Sequence, residues 1–168
     1  MEILTWIMRV NLELDEHIVA ALPKVWRNKV GFEGFFSKSK EGLLVLTDRS
    51  LIFVPQYTYL TPKEVEKYFG QDEAKFTQIS GYSETQLDED ISQHQDSLMI
   101  PLNSVVDVGS VNLRKVNFLR IKFKTDKNKT KTYDFGITKS VTNYPIRQPL
   151  IFYNLDWGAW IKNLKAYT

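Results

Sequence analysis

A chain of 168 residues, 43% hydrophobic and 25% charged, has the size and composition of one globular domain, so disorder along its whole length is excluded. The absence of cysteine excludes disulfides and thiolate metal sites. A net charge of +2 hides an asymmetry: residues 1–100 hold 10 Lys and Arg against 16 Asp and Glu, and residues 101–168 hold 12 against 4, which predicts either a basic binding face or lysines that merely solvate strand surfaces.

Met1 to Val10 carries Glu2 where a signal peptide needs Lys or Arg, Arg9 interrupts its apolar run, and no small-residue cleavage site follows. No apolar stretch approaches the ~18 residues of a membrane span. The expected location is therefore the cytoplasm, peripheral to a membrane if the chain meets lipid. His17 to Val25 is partly alternating and meets Pro23 near its end, which suits a first or edge strand. Trp26 to Lys40 reads WRNKVGFEGFFSKSK, a glycine-containing loop in which aromatic and basic residues interleave. Glu41 to Pro55 reads EGLLVLTDRSLIFVP, a hairpin whose Thr47-Asp48-Arg49 link takes its turn chemistry from the Asp.

Residues 61–97 differ in kind. Thr61-Pro62-Lys63-Glu64 has the form of a helix N-cap with Pro at the first helical position, followed by Val65, Tyr68 and Phe69 at helical spacing. After Gly81 the stretch YSETQLDEDISQHQDS shows no period and is expected to be a mobile excursion. Residues 61–97 hold 9 acids and 3 Lys, and this charge suggests that 82–97 folds back on the basic strands as a screen.

Strand character returns at Leu98 to Leu102, Val105 to Val111, Phe118 to Thr125 and Lys131 to Thr138. Leu119, Ile121 and Phe123 fall on one face and Arg120, Lys122 and Lys124 on the other. Tyr133, Phe135 and Ile137 face inward on the partner strand, and Asp126 to Lys129 makes the turn. Residues 139–153, with Pro145 and Pro149, form a connection with a short extended piece at Leu150 to Tyr153. At the end Trp157, Trp160, Ile161 and Leu164 make one helical stripe, capped by Asn154 or Asp156, long enough to close an open end of a small barrel.

This order gives an α+β, mainly β, class. The EGLLVLTDRSLIF hairpin resembles the G-x-L-x-L-T-x-x-R-L-I-F signature of GRAM and bacterial PH-like domains. IPLNSVVDV at 100–108 is similar to their I-P-L-x-x-I strand, LRIKF and KTYDFGI follow in the family's order, and Trp160-Ile161-Lys162-Asn163-Leu164 is similar to the W-I-x-x-L of a PH domain's last helix. The resemblance covers residues 12–55 and 98–166. It implies a single PH-like domain over 1–168: a bent antiparallel barrel of about seven strands, capped by the C-terminal helix, with a helical and loop insertion at 56–97.

The inventory for catalysis is thin. His17 and His94 are the two histidines, too few to hold zinc without cysteine. Asp88-Glu89-Asp90 does not start an EF-hand loop, because Gln93 and Met99 stand where Gly and Glu are required. Phosphate loops and G-x-S-x-G are absent. The expectation is a non-enzymatic binding module with no cofactor and no metal. Its candidate ligand or partner loop comprises Lys24, Arg27, Lys29, Phe35, Phe36, Lys38 and Lys40, where rings and cations interleave as at a membrane surface or as aromatics do at an oligomer interface. The resemblance adds that PH domains hold phosphoinositides with basic residues around their first two strands, and Lys38-Ser39-Lys40 partly matches that motif. The basic face Arg120, Lys122 and Lys124 carries no stacking aromatic, so nucleic acid is not an expected partner. A protein partner or a second copy leads, with an anionic membrane lipid as the alternative.

Overall fold

The two apolar runs of residues 41–55 form β2 (Lys40–Thr47) and β3 (Ser50–Pro55), paired from Gly42↔Pro55 to Leu46↔Leu51, in a computed structural model that describes residues 11–31, 39–55 and 60–168. Their turn is organised by Thr47, whose hydroxyl oxygen accepts the N–H groups of Arg49 at 3.1 Å and Ser50 at 2.9 Å. Asp48, expected to supply the turn chemistry, instead accepts the His17 N–H at 3.0 Å and anchors the start of the preceding strand.

That strand, β1 (Ile18–Lys29), is the first of the described strands, as expected, and it lies inside the sheet and not at its edge. It pairs with β2 along its length and, through Val25 to Lys29, with β7 (Thr130–Thr142). Pro23 marks a bulge: the register skips between Leu22 and Val25, and Lys24 takes a φ of 61°. A residue without an N–H is tolerated inside a sheet where a bulge leaves one ladder position unused. The first half of β1 gains its missing partners from the insertion. The Ala21 N–H donates to the Thr77 carbonyl at 2.8 Å, the Gln78 amide to the Ile18 carbonyl at 3.1 Å, and the Ile18 N–H to Glu84 Oε2 at 2.8 Å.

With β4 (Leu98–Pro101), β5 (Val105–Leu113) and β6 (Val116–Lys124), the antiparallel sheet runs in the order β4-β3-β2-β1-β7-β6-β5, and β8 (Gln148–Phe152) pairs with β7 off this path. The path curls into a half-barrel. The period-2 pattern of β6 and β7 is realised as expected, with Leu119, Ile121, Phe123, Tyr133, Phe135 and Ile137 all in the concave core. α3 (Gly158–Tyr167) adds Trp160 and Leu164 to that core. The Asp156 carboxylate accepts the Gly158 N–H at 2.8 Å, and the indoles of Trp157 and Trp160 donate to the carbonyls of Asn117 and Lys75 at 3.1 and 2.9 Å.

The hairpin β2–β3 is buried on both faces. Leu44, Leu46, Leu51 and Phe53 face the concave core, whereas Leu43, Val45, Ile52 and Val54 form a second cluster under Ile79, Leu87 and Ile91. Leu87 and Ile91 belong to α2 (Glu84–Gln93), so the acidic stretch expected to be mobile contains a packed helix. Ser83 caps it by accepting the Gln86 N–H at 3.2 Å. No apolar period was visible because two of its inward positions are acids. Asp88 accepts the N–H groups of Asn11 at 2.6 Å and Leu12 at 3.0 Å, and Asp90 accepts from the Tyr82 hydroxyl at 2.7 Å and the Gln86 amide at 3.0 Å. These carboxylates therefore bind the segment before β1 and the side chains of Tyr82 and Gln86.

Upstream, α1 (Pro62–Val65) begins as the cap pattern predicts, with the Thr61 hydroxyl accepting the Glu64 N–H at 3.2 Å. Val65 and Phe69 join the concave core. Among the described residues no helix is long and apolar enough to cross a membrane.

Candidate functional site

Past the bulge, strand alternation sends Val25 inward to the concave core and Trp26 to the opposite face. A Trp on the outer face of a sheet is normally half-exposed. Trp26 is 1% exposed, yet it belongs to neither apolar cluster. It lines a cleft of about 560 Å³ with Lys40, Glu41, Pro55, Asp96 and Arg147. Trp26 and Glu41 are direct cross-strand partners in the β1–β2 register, which places both side chains on one face.

Arg147 reaches this face from the link between β7 and β8. Its Nη2 donates to Glu41 Oε1 at 2.9 Å, and its guanidinium carbon lies 5.9 Å from the Trp26 ring centroid, within range of a cation–π attraction. The other Glu41 oxygen, Oε2, and the Trp26 indole N–H are both buried without a hydrogen-bond partner among the described residues.

On the far wall Lys40 forms an ion pair with Asp96, which lies three residues past the end of α2. Arg27 donates from Nη1 to the Asp96 carbonyl at 3.4 Å and lies over Phe53 and Tyr133, 5.3 and 5.4 Å from their ring centroids. The hydrogen bond from Lys40 holds the Asp96 carboxyl below the ordinary carboxylate value, and the charges of Lys40 and Arg27 add to it. Burial lowers the Arg27 pKa from its usual value, opposed by the nearby Tyr133 and Asp96. Among the described residues, Asp96 of the acidic insertion thus meets both Arg27 and Lys40 of the basic segment.

The residues singled out from the sequence are divided by the fold. Arg27 and Lys40 are cross-strand partners joined through Asp96. Lys24 sits at the bulge beside an adjoining hollow that Glu41 and Arg147 also line. Lys29 lies away from the cleft, in a hollow of about 250 Å³ with Lys129 and Lys131. Phe35, Phe36 and Lys38 lie outside the described residues. On the basic strand face, Arg120 is committed to Asp134, its register partner, through two hydrogen bonds of 2.8 and 2.9 Å. Asp134 raises the Arg120 pKa by that hydrogen bond. Lys122 and Lys124 share the face but do not join the cleft. Glu41, Asp96 and Arg147 were missed, because nothing in a local window links three charges so far apart in the chain.

A separate feature adjoins the cleft. Of the eight large hydrophobic residues exposed among those described, Tyr144, Ile146, Leu150 and Ile151 lie on the β7–β8 hairpin, with Tyr144 87% exposed at the link. Arg147, between them in sequence, ties this apolar surface to the cleft. Compared with known proteins, the chain matches no protein-family model and no curated protein sequence.

Proposed function

We propose that this chain is a non-enzymatic PH-like binding module that acts by protein–protein interaction or self-association. The strand order, the insertion between β3 and β4 and the terminal helix that closes the concave core support a PH-like reading. One observation carries the interaction reading: half of the large hydrophobics exposed among the described residues lie on one short hairpin beside a cleft. A clustered apolar surface rimmed by polar residues marks an interaction site, whereas scattered ones need no explanation. Sedimentation velocity over a concentration series tests it. Reversible association that Leu150→Asp with Ile151→Asp abolishes is the expected result. A wild-type chain that stays monomeric at its highest soluble concentration, or a variant that associates equally well, refutes self-association through this hairpin.

A second reading, recruitment to an anionic membrane, is favoured by the three lysines Lys29, Lys129 and Lys131 around one hollow. Flotation with neutral and phosphatidylserine vesicles tests it, using Lys129→Glu with Lys131→Glu. Binding that persists at physiological salt, where the Debye length is about 8 Å, and that the variant loses supports recruitment. Binding confined to low salt refutes it.

A further inference from the structure

Three buried side-chain polar atoms lack a hydrogen-bond partner among the described residues, and two of them, Trp26 Nε1 and Glu41 Oε2, belong to directly opposed residues that line one cleft. Most buried polar groups in folded proteins are paired, because one left bare keeps the full cost of its lost hydration. Two orphans at one cross-strand pair thus concentrate an unmet demand on this cleft. The pair is also complementary: an indole offers only a donor, and an ionised carboxylate only an acceptor. Glu41 Oε1 is already held by Arg147, which fixes the orientation of the carboxylate and leaves Oε2 as the buried, unpaired acceptor.

We propose that this cleft binds an amide edge of a peptide, whose carbonyl accepts the Trp26 indole N–H while its N–H donates to Glu41 Oε2. Two peptide groups have that edge, an extended residue's own C=O and N–H and the side-chain carboxamide of Asn or Gln. A carboxylate or phosphate satisfies Trp26 but meets Glu41 with like charge. An ammonium satisfies Glu41 but leaves the indole bare and faces Arg147. The neutral donor–acceptor pair is the chemistry that answers both orphans. The volume of about 560 Å³ lies in the range of small-ligand sites, roughly 300–1,000 Å³. The inference rests on the binding-module reading, and its test follows one side chain and not association, so the two fail separately.

The test is a titration of the ¹⁵N-labelled chain, following the Trp26 indole ¹H–¹⁵N signal assigned with Trp26→Phe. The probes are acetyl-Ala-Ala-Ala-methylamide, acetyl-Ala-Gln-Ala-methylamide and acetate. A saturable downfield shift with both peptides identifies the backbone edge, and one with the Gln peptide alone identifies the carboxamide; either is the expected result. Glu41→Gln keeps an oxygen for Arg147 but places an NH₂ where Oε2 stood, so peptide affinity should fall about tenfold or more. The proposal is overturned if no peptide gives a saturable shift, if acetate shifts the signal equally, or if Glu41→Gln, with its dispersed spectrum intact, binds as wild type does.

Discussion

Asp88→Ala tests whether the acidic insertion is a structural roof. Asp88 is 0% exposed, and one oxygen accepts the N–H groups of both Asn11 and Leu12, pinning the segment before β1 to α2. A hydrogen bond to a charged group contributes about 1.5–3 kcal/mol, and since the two share one carboxylate they do not simply add, giving a loss of about 3 kcal/mol. In a domain of this size 1 kcal/mol moves Tm by about 2–4 °C, so Tm should fall by about 6–12 °C. Urea unfolding and thermal melting followed by tryptophan fluorescence measure it. Asp88→Asn, which keeps one acceptor but loses the charge, should fall between. Glu89→Ala, on the exposed side of the same helix, should change stability by less than about 0.5 kcal/mol. If Asp88→Ala matches Glu89→Ala, the carboxylate does not anchor α2 to the segment before β1.

Arg120→Ala strips the bidentate partner from Asp134, whose side chain is 5% exposed, and should cost about 3 kcal/mol in urea unfolding; Arg120→Met with Asp134→Leu should recover most of it. Gly42→Ala would place a Cβ 2.1 Å from the Val54 carbonyl oxygen and 2.7 Å from the Pro55 Cα. Both obstacles are backbone, so β3 must move, and a loss of about 3 kcal/mol or insoluble expression is expected. For Asp96, the folded pKa is lowered chiefly by Lys40, so its contribution is fully present above the ordinary carboxyl value of about 3.9 and fades as pH falls through the lower folded value. With the Asp96 side chain 46% exposed, that contribution stays below about 1 kcal/mol. The Tm difference between wild type and Asp96→Asn should therefore hold constant from neutral pH to about pH 5 and shrink only in stronger acid; a difference that grows on acidification contradicts the assignment.

Residue patterns within a few positions of one another were enough to define much of this fold. Alternation in 118–124 and 131–137 defined β6 and β7, with both inner faces, because side chains on a strand reach the core at every second residue. The Trp157-Trp160-Ile161-Leu164 stripe defined α3 in the same way, through the 3.6-residue turn. Less of the site was legible. Arg27 and Lys40 were singled out for their charge, but what they do depends on Asp96, 69 residues from Arg27 and 56 from Lys40. Arg120 carried the same local signature of a free surface cation, and only the β6–β7 register shows it bound to Asp134.

Tertiary structure also decided what Pro23 marks, and it reversed the reading of residues 82–97 as a mobile excursion. A proline marks an edge or a bulge with equal right, and β7 decided for the bulge by pairing with the residues that follow it. The acids of α2 read as solvent-seeking until the backbone N–H groups of residues 11 and 12 are set against them. The elements whose burial repeats with their own geometry could be read locally, along with their order and the class they build. The partners of polar groups could not. A hydrophobic side chain needs only to leave water, in any company, whereas a hydrogen bond or an ion pair needs one particular atom at one distance. Arg147 and Glu41, 106 residues apart, meet only after the sheet has curled.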